Sequence, residues 1–432
     1  MLRGDGDLLF DHLDPSHGFW QAGLIIARKL RRAQPGGGLM RDTNAIDRVL
    51  QDAVRSGAVP GVVAAAADDA GPFYQGAFGR RSLAGDAAMS MDTVFRIASM
   101  TKAITTVAAM QMVEQGKLAL DQPAGEVVPD LANPQVLEGF SADGQPILRP
   151  ARRPVTLRAL LTHTSGFVYD TWNANQMRYA QVTGLPAPRT GKLASLRAPL
   201  GFDPGERWEY GIGIDWAGRM VEAVSGLDLE QYMQQHILAP LGMRDTTFDP
   251  RPDWGDRLVT VHARAADGSL RPMDTPPPPA DREFYPGGGG LYSTASDYLR
   301  FLRMLLGGGA LEGARVLQPE TVALMARNHM GPLLVEKLVT MNPGFSNDAE
   351  FFPGMAKKWG LSFLINTEDC PGGRSAGSLA WAGINNTYFW LDPTKRLAGV
   401  LMTQILPFAD AQVLTLLDAF ERAVYSFAAA RR

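Results

Sequence analysis

One cysteine, Cys370, stands among 432 residues, which excludes a disulfide framework within the chain and any zinc site built on several thiolates. It falls in EDCPGGR, read as a loop, and no role is assigned to it. Charge is balanced: 42 Lys and Arg against 45 Asp and Glu leave a net −3, so nothing argues for nucleic acid or an anionic membrane surface as a partner. No run approaches the roughly 18 consecutive apolar residues of a membrane span. The opening MLRGDGDLLFDHLDP is acidic early, and the later GLIIARKL is too short and too charged for the core of a signal peptide. A cytoplasmic protein is expected. The histidines (His12, His17, His163, His236, His262 and His329) include no pair at a spacing such as H-E-x-x-H, and neither metal nor cofactor is expected.

What is present reads as an ordinary globular chain, 45% hydrophobic and 20% charged. Residues 1–40, ending near QPGGG, lack a pattern and are expected to be a poorly ordered extension. TNAIDRVLQDAVRSG reads as a helix, with Thr43 or Asn44 as its cap and Gly57 at its end. PGVVAAAADD and GPFYQGAFGR follow as two strands across a short turn. From about 120 to 285 the chain is rich in proline, arginine and turn signals, with helices at TLRALLTH, GIDWAGRMVEAVSG and DLEQYMQQHIL. PMDTPPPPADREFYPGGGG, 272–290, reads as a loop or linker, with a mobile lid as the alternative. The helix STASDYLRFLRMLLGG comes next. Strand character then returns in KWGLSFLIN, LAWAGINNTYFWLDP and RLAGVLMTQIL, before a last helix, AQVLTLLDAFERAVYSFAAA. Strands at both ends of a helical middle suggest a discontinuous α/β domain, 41–98 with 286–432, and an inserted, mostly helical one, 99–285.

Two serines compete as nucleophile. Gly373–Gly377, GRSAG, fits the G-x-S-x-G elbow of α/β-hydrolases, which needs a strand before Ser375, a helix after it and a later histidine. The residues after it read as a strand, and no histidine follows. The other candidate lies in FRIASMTKAITTVAAMQMVEQGKL, where Ser99 precedes Lys102 by one helical turn. Residues three apart share a helix face, so hydroxyl and amine can meet. A helix this apolar all round is expected to be buried. Burial disfavours an ammonium, so a lysine placed there can accept a hydroxyl proton. At the first turn, Ser99 also brings a backbone N–H and the positive end of the helix toward an oxyanion. A capping serine with a snorkelling lysine would show the same pattern.

Blocks in a fixed order decide between these readings: FRIASMTKAIT, LALDQPAGEVVP, TLRALLTHTSGF, FDPGERWEYGIGIDWAGRMVEAVSG, PLGMRDTTF, GGGGLYSTASDYLRFLRMLLGGG and LAWAGINNTYFWLDP. Over residues 42–428 the chain resembles the serine β-lactamase and penicillin-binding-protein superfamily, most nearly the class C β-lactamases and family VIII carboxylesterases. The resemblance implies an α/β fold of α+β type, an antiparallel sheet flanked by helices, with an inserted all-helical domain. It implies Ser99 as nucleophile, Lys102 as part of the general base and Tyr210, at the second family motif, as a proton relay. At the third motif it implies Trp381 and Gly383 as pocket residues, the glycine letting an edge strand approach the substrate. The N–H groups of Ser99 and Ile384 are implied as oxyanion donors. His163, in LLTHTSGF, is implied to be structural, and Asp121 a turn or cap residue.

The chain departs from the pattern twice. Tyr210-Gly211-Ile212 lacks the usual asparagine, and Trp381 replaces the lysine that holds a substrate carboxylate in β-lactamases and peptidases. An indole there favours an uncharged, hydrophobic substrate, so a small-molecule ester is the expected partner and a serine carboxylesterase the expected activity. A β-lactamase or D-alanyl peptidase is the alternative, and a catalytically silent ligand-binding or polymer-forming scaffold a further one.

Overall fold

The computed structural model describes residues 43–431, so the extension expected over 1–40 lies outside the described residues. Helix α1, Asn44–Arg55, buries Ile46 and Leu50; Thr43 precedes it but makes no side-chain capping bond. Strands β1, Gly61–Asp68, and β2, Gly71–Gly79, form an antiparallel hairpin. Helices α2, Thr101–Glu114, α3, Gly213–Ser225, and α4, Ala295–Leu306, follow in turn. The last third supplies β3, Lys357–Trp359, β4, Leu364–Asn366, β5, Leu379–Gly383, β6, Thr387–Asp392, and β7, Leu397–Met402, before helix α5, Ala411–Ala429.

These strands make one seven-stranded sheet in the order β3-β4-β5-β6-β7-β1-β2. Every pairing in it is antiparallel. The two ends of the chain meet where β1 lies on β7, with Val63 opposite Met402 and Ala67 opposite Ala398. Adjacent residues of a strand point to opposite faces, and two neighbours in β6 show what covers each. Phe389 meets Tyr298 of α4 at 5.3 Å between ring centres, whereas Trp390 meets Phe420 of α5 at 5.6 Å. Helices therefore cover both faces of the sheet. That is why β1, β6 and β7 read as continuous apolar runs rather than alternating ones.

Helix α2 is buried on every side from Thr101 to Met112, in agreement with its apolar composition. The middle of the chain is not wholly helical. Gln135–Phe140 pairs with Pro146–Pro150 in a hairpin whose second strand leaves Ile147 and Leu148 exposed. Too few apolar residues alternate there for the pattern to stand out from a loop. The proline–glycine segment also differs from the linker expected of it. Its glycines pack against α2 and α3: Gly287 O accepts from Thr105 Oγ1 of α2 at 2.6 Å, and a Cβ on Gly288 would come within 2.5 Å of Asp215 Oδ2 of α3. These residues are glycine for close approach, not for freedom.

Candidate active site

The chain enters α2 by a sharp bend. A two-residue strand, Phe95–Arg96, passes through Ile97 to Ala98, whose φ of 45° is costly for a residue with a Cβ, and a 3₁₀ turn Ala98–Met100 leads into the helix. Ser99 sits in that turn, partly exposed, and the helix carries Lys102 back beneath it.

Lys102 is 1% exposed. A cation buried this deeply needs partners for its N–H groups, and three are in place. Nζ donates to Ser99 Oγ at 3.3 Å, to Tyr169 OH at 3.0 Å and to Gly288 O at 2.6 Å. It also lies 4.8 Å from the ring centre of Tyr210 and 5.1 Å from that of Tyr169, within cation–π range.

Gly288 is held by the peptide that precedes the carbonyl meeting Lys102. Asp215, buried in the first turn of α3, accepts the Gly288 N–H at 2.8 Å, and Thr105 Oγ1 donates to the preceding carbonyl, Gly287 O, at 2.6 Å, which together fix the glycine whose own oxygen faces Lys102. Burial pushes the Asp215 carboxyl above the usual range, while the Lys102 charge and the Gly288 N–H pull it back. Tyr169 is a phenol held well above its ordinary value, first by burial and then by the charges of Asp215, Tyr210 and Asp170. It keeps its proton at neutral pH. Neither Asp215 nor Tyr169 is singled out by the sequence motifs, although Tyr169 follows closely on the LLTHTSGF block.

The structure brings Tyr210 and Trp381 together. Tyr210 OH accepts from the Trp381 indole N–H at 3.0 Å, and the rings lie 4.9 Å apart. Trp381 is buried against Trp359 and Phe351, so its one polar atom serves Tyr210 rather than an open pocket wall. The hydroxyl bonded to Lys102 is that of Tyr169, and Tyr210 offers the amine its ring face.

Gly383 ends β5, an internal strand of the sheet and not the edge strand expected. Its partner β4 pairs only with Leu379 and Ala380, which leaves Trp381–Gly383 unpaired on that side. A Cβ on Gly383 would lie 2.4 Å from Ile97 O and 2.3 Å from Thr387 Oγ1. The glycine thus lets β5 close on the backbone of the Ser99 turn. Ile384 begins the turn after it, and no hydrogen bond among the described residues takes its N–H.

His163 is buried with a φ of 58°, and its Nδ1 accepts from Gly211 N–H at 3.3 Å, next to Tyr210. Burial, and secondarily the Lys102 charge, hold the imidazole well below its ordinary value, so it is neutral and fixes the Tyr210 loop. Asp121 makes a two-pronged ion pair with Arg158 at 2.7 Å on each side. Ser375 lies in the loop between β4 and β5, its N–H given to Asp392 Oδ2, and the next element is strand β5 rather than a helix. The elbow geometry is absent at this serine. Among the described residues no group of His, Cys, Asp or Glu is arranged to hold a metal ion, and no helix is long and apolar enough to cross a membrane.

The family model described as Beta-lactamase matches residues 46–422. The chain belongs to this family. Within the beta-lactamase family it is 36% identical over 396 residues to monacolin J acid methylbutanoyltransferase of Aspergillus terreus, covering 88% of this chain and 95% of that one. It is 33% identical over 400 residues to lovastatin esterase of Penicillium rubens, covering 88% and 98%. The structure of simvastatin synthase (LovD) from Aspergillus terreus, in its LovD6 mutant form, superposes with a TM-score of 0.79 at 34% identity, over 92% of this chain and all of that one. These relatives are acyl-transferring and ester-hydrolysing enzymes on the same β-lactamase-like fold, an antiparallel sheet with helices packed on it.

Proposed function

We propose that this beta-lactamase-family protein is a serine carboxylesterase that works through an acyl-enzyme on Ser99. The observation that carries the reading is the Ser99 hydroxyl 3.3 Å from a buried amine whose other two partners are fixed. An ammonium has three N–H groups, and Ser99, Tyr169 and Gly288 take all three. The neutral amine keeps two, for Tyr169 and Gly288, and turns its lone pair to Ser99. That is the disposition a general base needs.

In this reading the Ser99 proton passes to Lys102 as Oγ attacks the ester carbonyl. The N–H groups of Ser99 and Ile384 hold the oxyanion, a contribution of about 3 kcal/mol for each such donor. The tetrahedral intermediate then expels the alcohol, which takes a proton from the Lys102–Tyr210 pair. The relay at Tyr210 is what the family resemblance implies: its oxygen accepts from Trp381 and its own O–H is left to donate to the leaving oxygen, while its ring face and not its hydroxyl meets Lys102. Water enters next, gives a proton to the same pair and releases the acid, while Ser99 recovers its hydrogen. An alcohol in place of water makes the reaction an acyl transfer, and the two relatives above, an esterase and an acyltransferase, support both outcomes for one acyl-enzyme.

Trp381 favours an ester over a β-lactam. Where β-lactamases and peptidases hold a substrate carboxylate with lysine, this chain has a buried indole that spends its N–H on Tyr210. The test compares p-nitrophenyl butyrate with a chromogenic cephalosporin. The ester's kcat/KM is expected to be greater by about 10²-fold or more, the scale of losing a charged contact of 2–5 kcal/mol. Faster turnover of the cephalosporin would make the chain a β-lactamase instead.

A further inference from the structure

The glycines from Gly287 to Gly290 are not alike. A Cβ on Gly287 would meet Leu229 and Thr105 at 3.0 Å, one on Gly288 would meet Asp215 at 2.5 Å, and one on Gly290 would meet Phe248 at 2.6 Å. None of these positions has room for a side chain. Gly289 does. Apart from its chain neighbours, the only described atoms within 4 Å of a Cβ placed there are the Ala98 carbonyl carbon and oxygen, at 3.8 and 4.0 Å, which is ordinary contact. Gly289 is exposed, and it is not among the glycines with a positive φ. Neither packing nor backbone conformation therefore requires glycine here. The turn itself is pinned, since the N–H groups of Gly289 and Gly290 both donate to Pro286 O, at 3.0 and 2.8 Å.

This bare position adjoins the nucleophile. The Ala98 carbonyl carbon that it faces is bonded to Ser99 N, and the Gly288 oxygen that meets Lys102 belongs to the peptide completed by Gly289 N. A tetrahedral centre on Ser99 has three substituents to place besides Oγ. In the acyl-enzyme reading the oxyanion lies between the N–H groups of Ser99 and Ile384, and the leaving oxygen reaches the Tyr210 hydroxyl. Ile384 follows the end of β5, and Tyr210 is bonded to Trp381 of the same strand, so both substituents are claimed from the β5 side. The acyl chain is the substituent left over. Gly289, whose Cβ position has no atom of β5 within 4 Å, borders the side that remains.

We propose that the missing side chain of Gly289 is the clearance through which the acyl chain of the substrate runs, which makes Gly289 a specificity-determining residue for acyl length. The proposal rests on the acyl-enzyme reading above and deepens it: the substrate is an ester whose acyl part is longer than acetyl.

The experiment measures kcat/KM for p-nitrophenyl acetate and p-nitrophenyl hexanoate with wild type, Gly289→Ala and Gly289→Leu. The alcohol is the same in both esters, so their ratio reports on the acyl chain. The ratio of hexanoate to acetate is expected to fall about threefold in Gly289→Ala and about tenfold or more in Gly289→Leu, the scale on which a pocket discriminates by a methylene. Thermal unfolding is expected to show Gly289→Ala at least as stable as wild type, because alanine fits this backbone and restricts the unfolded chain. A ratio that keeps its wild-type value in either folded variant, whether both rates hold or both fall together, overturns the proposal. If wild type cleaves neither ester, the esterase reading falls and the clearance with it; turnover with an unchanged ratio overturns the clearance alone.

Discussion

Lys102→Met lowers kcat/KM for p-nitrophenyl butyrate by about 10³-fold, within the usual range for loss of a general base. Methionine matches the length of the lysine stem, fills the same channel and has no basic atom to take the Ser99 proton. The fold survives because the deleted charge is one the interior had to compensate: Gly288 O and Tyr169 OH each lose a donor, at about 1–3 kcal/mol apiece, while the cost of burying the cation is recovered. Stopped-time assays alongside thermal unfolding separate the two effects. A folded Lys102→Met enzyme retaining more than a tenth of wild-type activity would remove Lys102 from the chemistry.

The two tyrosines should separate in the same assay. Tyr210→Phe is expected to lower kcat by about 10²-fold, the lower end for a proton-transfer group. It takes away the hydroxyl that Trp381 orients and leaves that indole N–H buried without an acceptor. Tyr169→Phe is expected to cost about tenfold, because it removes one of three partners of Lys102 and leaves Ser99 and Gly288 in place. Since Tyr169 titrates well above its ordinary range, it is a neutral phenol across pH 6–9. The loss at 169 should therefore be the same throughout that window. A larger loss at Tyr169 than at Tyr210 would move the relay role to Tyr169, and a loss that changes between pH 6 and 9 would contradict the neutral phenol.

The parts of the site legible in the sequence were those whose geometry is local. Ser99 and Lys102 lie one helical turn apart, and the all-round apolar character of α2 announced the burial that the structure shows. The strands of the last third were legible because both faces of the sheet are covered and their apolar runs are continuous. What the sequence did not disclose is carried by long-range contacts. Lys102 meets Gly288 across 186 residues, and the four-glycine run that looked like a linker is in fact a packing surface for Thr105 and Asp215. Tyr169 lay beside a block read as structural, and only the return of that loop onto α2 places its hydroxyl on the amine. The resemblance makes Trp381 a pocket residue from its place at the third motif. Its burial and its bond to Tyr210 depend on Trp359 and Phe351, which the motif does not contain.

The central claim is a covalent acyl group on Ser99. Wild type and Ser99→Ala are incubated with p-nitrophenyl butyrate, quenched in acid during turnover and mapped by peptide mass spectrometry. A butyryl increment is expected on the peptide containing Ser99 in wild type, together with no increment and no ester turnover in Ser99→Ala. An increment on the peptide containing Ser375, or a Ser99→Ala enzyme that still cleaves the ester at the wild-type rate, would contradict it.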